Sequence, residues 1–292
     1  RDIAMERTAV PHPPLQTPKL VAPPGATCCH AHIFGPGARY PWSPDRGYTP
    51  PDALLPQYEA MLRTLGLARA VLVQPSVYGT DNRCQLDAMA ASSLPLRGVM
   101  VVSPDISTSE LRTLHDAGVR GIRFNLTNPG GLEMDALESL AARLADLGWH
   151  IQFLVKADEL PALEKRIAAL PTQAVIDHFG QVNPALGTAQ PGFQALLRLL
   201  ETGRTWVKLS SPYGMSDQQP GYPDLLPFAQ ALVQAAPERM VWGTNWPHPN
   251  ATGPLKPADH TLLEVLADWA PDEAVRNRIL TSNAAELYDF DD

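Results

Sequence analysis

Ala70-Val71-Leu72-Val73-Gln74-Pro75-Ser76 carries the pattern that decides the fold: four apolar residues in succession, then a polar turn built around a proline. A run that is apolar on both faces suits a parallel strand covered by helices, whereas a half-exposed strand would alternate. Val99-Met100-Val101-Val102 repeats it. Working outward from these two, strands are expected at 27–32, 70–74, 98–102, 121–125, 150–155, 174–178, 206–209 and 240–244. Helical patterns lie at 52–65, 82–93, 108–117, 135–147, 158–170, 192–201, 222–235 and 260–269. Eight strand–helix alternations predict an α/β chain folded in a single domain as a distorted (β/α)8 TIM barrel. The rival is an open doubly wound sheet with a glycine-rich turn leading from its first strand into a helix. That turn is missing, because His30–Gly37 holds Gly35 and Gly37 but opens no helix.

A length of 292 residues fits one such barrel, and a composition 45% apolar and 18% charged can fill a large core. Lys+Arg number 23 against 31 Asp+Glu, a formal charge of −8, which argues against nucleic acid as a partner. No apolar run approaches the ~18 residues of a membrane span, so no membrane role is expected. Residues 1–25, with Pro11, Pro13, Pro14, Pro18, Pro23 and Pro24, read as a Pro-rich arm, either laid over the body or disordered, and 26–292 as the barrel domain. Cys28, Cys29 and Cys84 are too few and too poorly spaced for a disulfide framework. Nothing reads as a secretion signal, and a cytoplasmic protein is the expectation.

Barrel active sites form at the C-terminal ends of the strands, and the unusual polar residues gather there. The first strand closes on His30-Ala31-His32, whose spacing of two puts both imidazoles on one face. That arrangement suits a metal pair or two rings converging on a substrate oxygen. Asp177-His178 closes the sixth strand, and alternation would send these two side chains to opposite faces. Arg123 on the fourth strand would point inward, where an unpaired guanidinium is costly. It either pairs with an internal carboxylate, Asp177 being the obvious one, or grips a carboxylate of the substrate. Lys208-Leu209-Ser210 closes the seventh strand and Thr244-Asn245-Trp246-Pro247-His248 the eighth. His12, His115, His150 and His260 fall on the arm, on helices or at a strand start and read as structural or exposed. Cys28 and Cys29 read as small apolar strand residues rather than nucleophiles.

Five stretches follow one another along the chain: Thr27-Cys-Cys-His-Ala-His-Ile-Phe-Gly-Pro36, Val73-Gln-Pro-Ser-Val-Tyr-Gly-Thr-Asp-Asn82, Val119-Arg-Gly-Ile-Arg-Phe-Asn125, Ile176-Asp-His-Phe-Gly180 and Val241-Trp-Gly-Thr-Asn-Trp-Pro-His-Pro249. Together they resemble the amidohydrolase superfamily, in its lactone-processing branch of 2-pyrone-4,6-dicarboxylate lactonases and D-galactarolactone isomerases. The resemblance implies an enzyme that hydrolyses or rearranges a small carboxylated or hydroxylated lactone, with that lactone as its small-molecule partner. It implies no required cofactor, since a metal is often unnecessary in this branch. A zinc-dependent hydrolase or decarboxylase is the alternative, with His30, His32 and His178 as ligands. His30, His32, His178 and Asn245 map to catalytic positions, and Arg123, Tyr48 and Ser76 to substrate-binding ones. Asn82, Asn125, Lys208 and Tyr213 are candidate contacts to substrate hydroxyls, and His248 a further donor near the mouth.

Three departures shape the expectation. Cys28 stands where many relatives carry Asp. The loops after the fourth and seventh strands read Leu126-Thr127-Asn128-Pro129 and Ser211-Pro212-Tyr213-Gly214, without the arginines that grip a second carboxylate, so a less charged or hydroxylated lactone is favoured. Asn245 replaces the superfamily's water-activating Asp, either as the natural residue of an isomerase-like stretch or as a substitution. An amide can orient a hydroxyl but cannot take its proton. The base is then expected to be His178 or His30, with His32 and Arg123 stabilising the oxyanion. Attack by a hydroxyl of the substrate itself would interconvert two lactones, favoured if Asn245 is natural. A binding protein without turnover is the third reading.

Overall fold

A computed structural model describes residues 5, 6 and 9–291. Eight parallel strands follow one another around the sheet in sequence order: β1 (Thr27–Ala31), β2 (Arg69–Val73), β3 (Leu96–Met100), β4 (Val119–Asn125), β5 (His150–Leu154), β6 (Ala174–Ile176), β7 (Thr205–Leu209) and β8 (Met240–Trp242). The ring closes loosely between its ends, through a parallel bridge of Ala31 with Trp246 and hydrogen bonds from Asn245 N to His30 O (2.9 Å) and from His32 N to Trp246 O (2.8 Å). This is a distorted TIM barrel. All five residues of Arg69–Val73 are buried, as the opening pattern requires. Val71 and Val73 face the barrel interior with Cys29, Val99, Val175, Trp206 and Val241, while Ala70 and Leu72 pack outward under the helices.

The helices α1 (Leu55–Leu65), α2 (Arg83–Ala91), α3 (Thr108–Asp116), α4 (Leu137–Ala145), α5 (Leu160–Ala168), α6 (Pro191–Glu201), α7 (Leu226–Ala235), α8 (Asp259–Glu264) and α9 (Leu266–Trp269) fall in the predicted windows, apart from one-residue overhangs at α6 and α8. Ser107 and Glu110 form a reciprocal capping box that starts α3. The strands at 98–102, 174–178 and 240–244 stop short of their predicted C-terminal ends, because the chain leaves the ladder there to build the loops of the site.

Two C-terminal helices, α10 (Glu273–Leu280) and α11 (Ser282–Tyr288), were not among the expected elements. Alpha-11 seals the N-terminal end of the barrel: Ala284, Tyr288 and Phe290 join the interior cluster. Arg69 and Arg97 donate to the carbonyls of Thr281, Tyr288, Asp289 and Asp291. On the opposite rim the described part of the arm lies against the barrel, Lys256 N bonding Pro11 O (3.0 Å) and Lys19 N bonding Glu264 Oε1 (2.7 Å). A groove of about 830 Å³ runs between them, lined by His12, Leu15, Phe34, Trp246, Lys256 and their neighbours. The arm assignment for 1–4 and 7–8 lies outside the described residues.

Candidate active site

Strict alternation along β1 would turn His30 away from the interior that Cys29 faces. A register shift between Cys28 and Ala31, a β-bulge against β2, returns it to the inside. Glycine at 243 allows the chain leaving β8 to pass: a Cβ there would lie 2.6 Å from His30 N and 3.0 Å from His30 Cβ. Around the same rim His178, Phe179, Gln181, Ser211, Asn245 and His248 all hold positive φ, between 47° and 62°. Non-glycine residues in this region are strained, and such strain concentrates at functional sites.

Beneath the rim lies a buried ionic network. Arg123 donates through Nε (3.1 Å) and Nη2 (3.0 Å) to Asp177 Oδ2, which also accepts from Gln152 Nε2 (3.1 Å). Lys208 Nζ sits 4.0 Å from Asp177 Oδ1 and donates to Cys29 O (2.8 Å) and His30 Nδ1 (3.2 Å). Burial works to raise the Asp177 pKa, but the Arg123 and Lys208 charges hold it below the usual range. Burial draws Lys208 down to about 8, which leaves it mainly charged at neutral pH. With one carboxylate against two cations, the floor is net positive.

These contacts fix two tautomers. An ammonium has no lone pair to offer, so it donates to His30 Nδ1 and the ring proton lies on Nε2, an atom without a partner among the described residues. The Val73 carbonyl accepts only, so His32 carries its proton on Nδ1 (2.6 Å) and a lone pair on Nε2. His178 Nδ1 shares a hydrogen bond with Ser210 Oγ (2.6 Å). Burial holds His32 at about 3 and His178 at about 4, and His30 well below its ordinary value, so all three rings are neutral near pH 7. The three rings meet with centroids 5.0 Å (His30–His32) and 4.7 Å (His30–His178) apart.

Over this floor opens a cavity of about 110 Å³. Of the candidate residues, His32, His178, Asn245, Arg123, Tyr48, Ser76 and Asn125 line it. A lobe of about 430 Å³ joins it across His178, Gln181 and Asn250 and runs out to Lys156. The remaining expectations need correction. His30 is fully buried behind His32 and His178 and is not among the lining residues. Its Nδ1 being taken, it is a donor and not a base, and neutral His32 presents an acceptor and not an oxyanion donor. Lys208 is not among the residues lining this cavity, because Cys29 O and His30 hold its ammonium inside. Asn82 ties down Val101 through both amide atoms and does not line the cavity. Tyr213 and His248 stand behind Asn245, Tyr213 O lying 2.9 Å from both Asn245 Nδ2 and His248 Nδ1. Asp177 and His178 do not diverge: β6 ends at Ile176, and His178 at φ 51° brings its ring to the same interior as Asp177. The arginine has its internal carboxylate and lines the cavity as well. Gln181, Asn250 and Asp259 were not foreseen; Asp259, beside the N-terminus of α8, accepts from His248 Nε2 at 2.7 Å.

The amidohydrolase family model matches residues 28–290, nearly the whole chain. This chain belongs to that family. A 2-pyrone-4,6-dicarboxylate hydrolase from Comamonas testosteroni is 39% identical over 282 residues, covering 93% of this chain and 92% of that protein. A D-galactarolactone isomerase from Agrobacterium fabrum is 32% identical over 280 residues and 93% of each chain. A crystal structure from Agrobacterium tumefaciens, 28% identical, superposes with a TM-score of 0.86 over 94% of this chain and 99% of that one.

A resident metal ion at this end of the barrel would need donor atoms that are free to face it. His30, Asp177 and His178 each offer an atom within 4.8 Å of the others and in outline can hold an ion. Arg123 and Lys208 already occupy the inner faces of Asp177 and His30, and a dication there would face both at close range. Position 245 supplies an amide, a weaker ligand than a carboxylate. The set fits a resident dication poorly. In the second candidate group, His12, His248 and Asp259, the Lys256 ammonium lies 3.4 Å from His12 Nε2, where an ion would need a lone pair.

Proposed function

We propose that this amidohydrolase opens or rearranges a small hydroxylated or carboxylated lactone, using histidine and arginine and no metal. The observation that carries this reading is the convergence of His32, His178, Arg123 and Asn245 on one ring-sized cavity over a net positive floor. The relatives named for pyrone hydrolysis and lactone isomerisation support the substrate class.

Arg123 stabilises the carbonyl oxygen as it turns into an oxyanion, its buried charge directed by Asp177 and reaching the cavity wall. A neutral imidazole, His178 or His32, accepts the proton of the attacking oxygen. The new C–O bond forms, the ring C–O bond breaks, and the same proton passes to the departing ring oxygen. Asn245 orients the nucleophile without deprotonating it. Water as nucleophile gives a hydroxy acid, while a hydroxyl of the substrate gives a second lactone. Asn245 favours the second course, because an internal nucleophile gains an effective molarity of up to ~10⁵–10⁸ M and needs less help from a base.

A panel of hydroxylated and carboxylated lactones, followed by NMR with and without EDTA, tests the reading. Ring-opened or ring-shifted products at undiminished rate with chelator are expected. No product from any lactone would overturn the function, and loss of turnover on chelation restored by zinc would overturn the metal-independent part. Asn245→Asp is expected to raise the share of water-derived product.

A further inference from the structure

A hydrogen-bonded chain runs from α8 to the cavity and decides which atom of Asn245 the substrate meets. Asp259, 5% exposed, is 2.7 Å from His248 Nε2; His248, 1% exposed, is 2.9 Å from the Tyr213 oxygen through Nδ1; that oxygen is 2.9 Å from Asn245 Nδ2. We propose that Asp259, His248 and Tyr213 act as positioning residues that fix the Asn245 amide with its oxygen towards the substrate, selecting a lactone that presents a free hydroxyl there.

The direction of each bond follows from the one before it. A carboxylate only accepts, so the His248 proton lies on Nε2. When that is the ring's single proton, Nδ1 is bare and takes the phenolic proton of Tyr213. The phenol oxygen is left with lone pairs alone and must receive from the NH2 of Asn245. The second amide hydrogen meets Asn250 Oδ1 at 3.0 Å. Both amide hydrogens are engaged, and Oδ1 has no protein partner among the described residues. Without the carboxylate, the reversed arrangement would be as well satisfied, with Tyr213 donating to Asn245 Oδ1 and Asn250 turned over to match. The cavity would then meet a donor in place of an acceptor. Asp259 breaks that tie from the far side of His248, beyond any contact with the substrate.

The inference rests on the lactone reading for its substrate and on geometry alone for the amide. Two measurements keep the parts separate. In ¹⁵N-labelled protein the Asn245 side-chain amide pair is assigned by its disappearance in Asn245→Asp. Tyr213→Phe, which removes one oxygen and leaves the ring, is expected to shift that pair and speed its hydrogen exchange; an unmoved pair would overturn the arrangement whether or not a substrate is known. On a hydroxylated lactone turned over by the wild type, Tyr213→Phe is expected to lower kcat/KM about tenfold, the scale of one hydrogen bond at a reacting group. On the deoxy analogue the loss should stay within about twofold, and it should shrink likewise in the Asn245→Asp background, whose two oxygens are equivalent. Equal losses on both lactones and in both backgrounds would mean a structural role only and would sink the selection. Failure of the whole lactone panel would remove the proposed function while leaving the amide result standing.

Discussion

The two ends of the barrel are built from the same residue types and do different things. At the N-terminal end His150 is buried with neither ring nitrogen paired among the described residues, and burial drives its pKa to about 3. At the C-terminal end His32 and His178 are driven to about 3 and 4 by the same desolvation. Arginines at the lower end are tied to the backbone carbonyls of the last residues, whereas Arg123 holds Asp177 and still faces an open cavity. A displaced pKa therefore marks burial and not chemistry. What separates the ends is whether the polar atoms converge on space that a substrate can enter.

The contrast breaks hardest at Asp177. Asp177→Ala leaves two buried cations without their counter-charge and is expected to cost about 3–5 kcal/mol of stability, read by urea unfolding, along with activity. His178→Gln should cost 10²–10⁴ in kcat/KM on a responsive lactone while the fold survives, as circular dichroism would show. Its counterpart below, His150→Phe, removes two unpaired buried nitrogens and should leave kcat/KM within a factor of two; a large loss would mean the lower end takes part in catalysis.

Acid provides a finer division. For His32, His150 and His178 the folded pKa lies below the unfolded value of about 6.5, so between pH 6.5 and 4 the unfolded chain binds protons that the folded chain refuses. Stability then rises with pH across that window and is lost on acidification, by ~1.4 kcal/mol per pH unit for each ring. Unfolding free energies of His150→Phe and His178→Gln measured from pH 6.5 to 4 should each show the slope reduced by about that amount. An unchanged slope in either variant would mean that its ring is already protonated in the folded state. The two ends would thus be equal in stability against acid and unequal in turnover.

Much of this was legible beforehand, for identifiable reasons. The apolar runs at 70–73 and 99–102 declare their strands because burial on both faces favours unbroken apolar residues, and the polar residues that follow such runs lead to the site. For Arg123 the sequence left two partners open, a carboxylate of the substrate or an internal one such as Asp177, because a guanidinium inside a barrel needs a carboxylate, and the structure supplies Asp177. The β1 bulge was not legible, since alternation assumes an unbroken ladder and nothing in Thr27–Ala31 announces the shift. Nor was Asp259, which looks like any acidic residue in the first turn of a helix; its partner is set by the path of the loop from His248. Lys208 and Tyr213 were placed on the correct side of the barrel but one layer too near the substrate, because sequence gives the face of a strand or the rim a loop belongs to and not depth along a side chain. Alpha-10 had a readable start, as Asp272 precedes an apolar pattern and caps Ala274 and Val275.

The absent Cβ at Gly243 has a consequence for how this enzyme can change. With the chain leaving β8 pressed against His30, the main chain leading into position 245 has little freedom to relocate, so altered reactivity there must come from swapping terminal atoms. Asparagine and aspartate differ by one such atom at nearly constant volume. On the proposed mechanism, opening a ring with solvent and migrating it with an internal alcohol are therefore adjacent in sequence, separated by a single codon step rather than by remodelling of the scaffold.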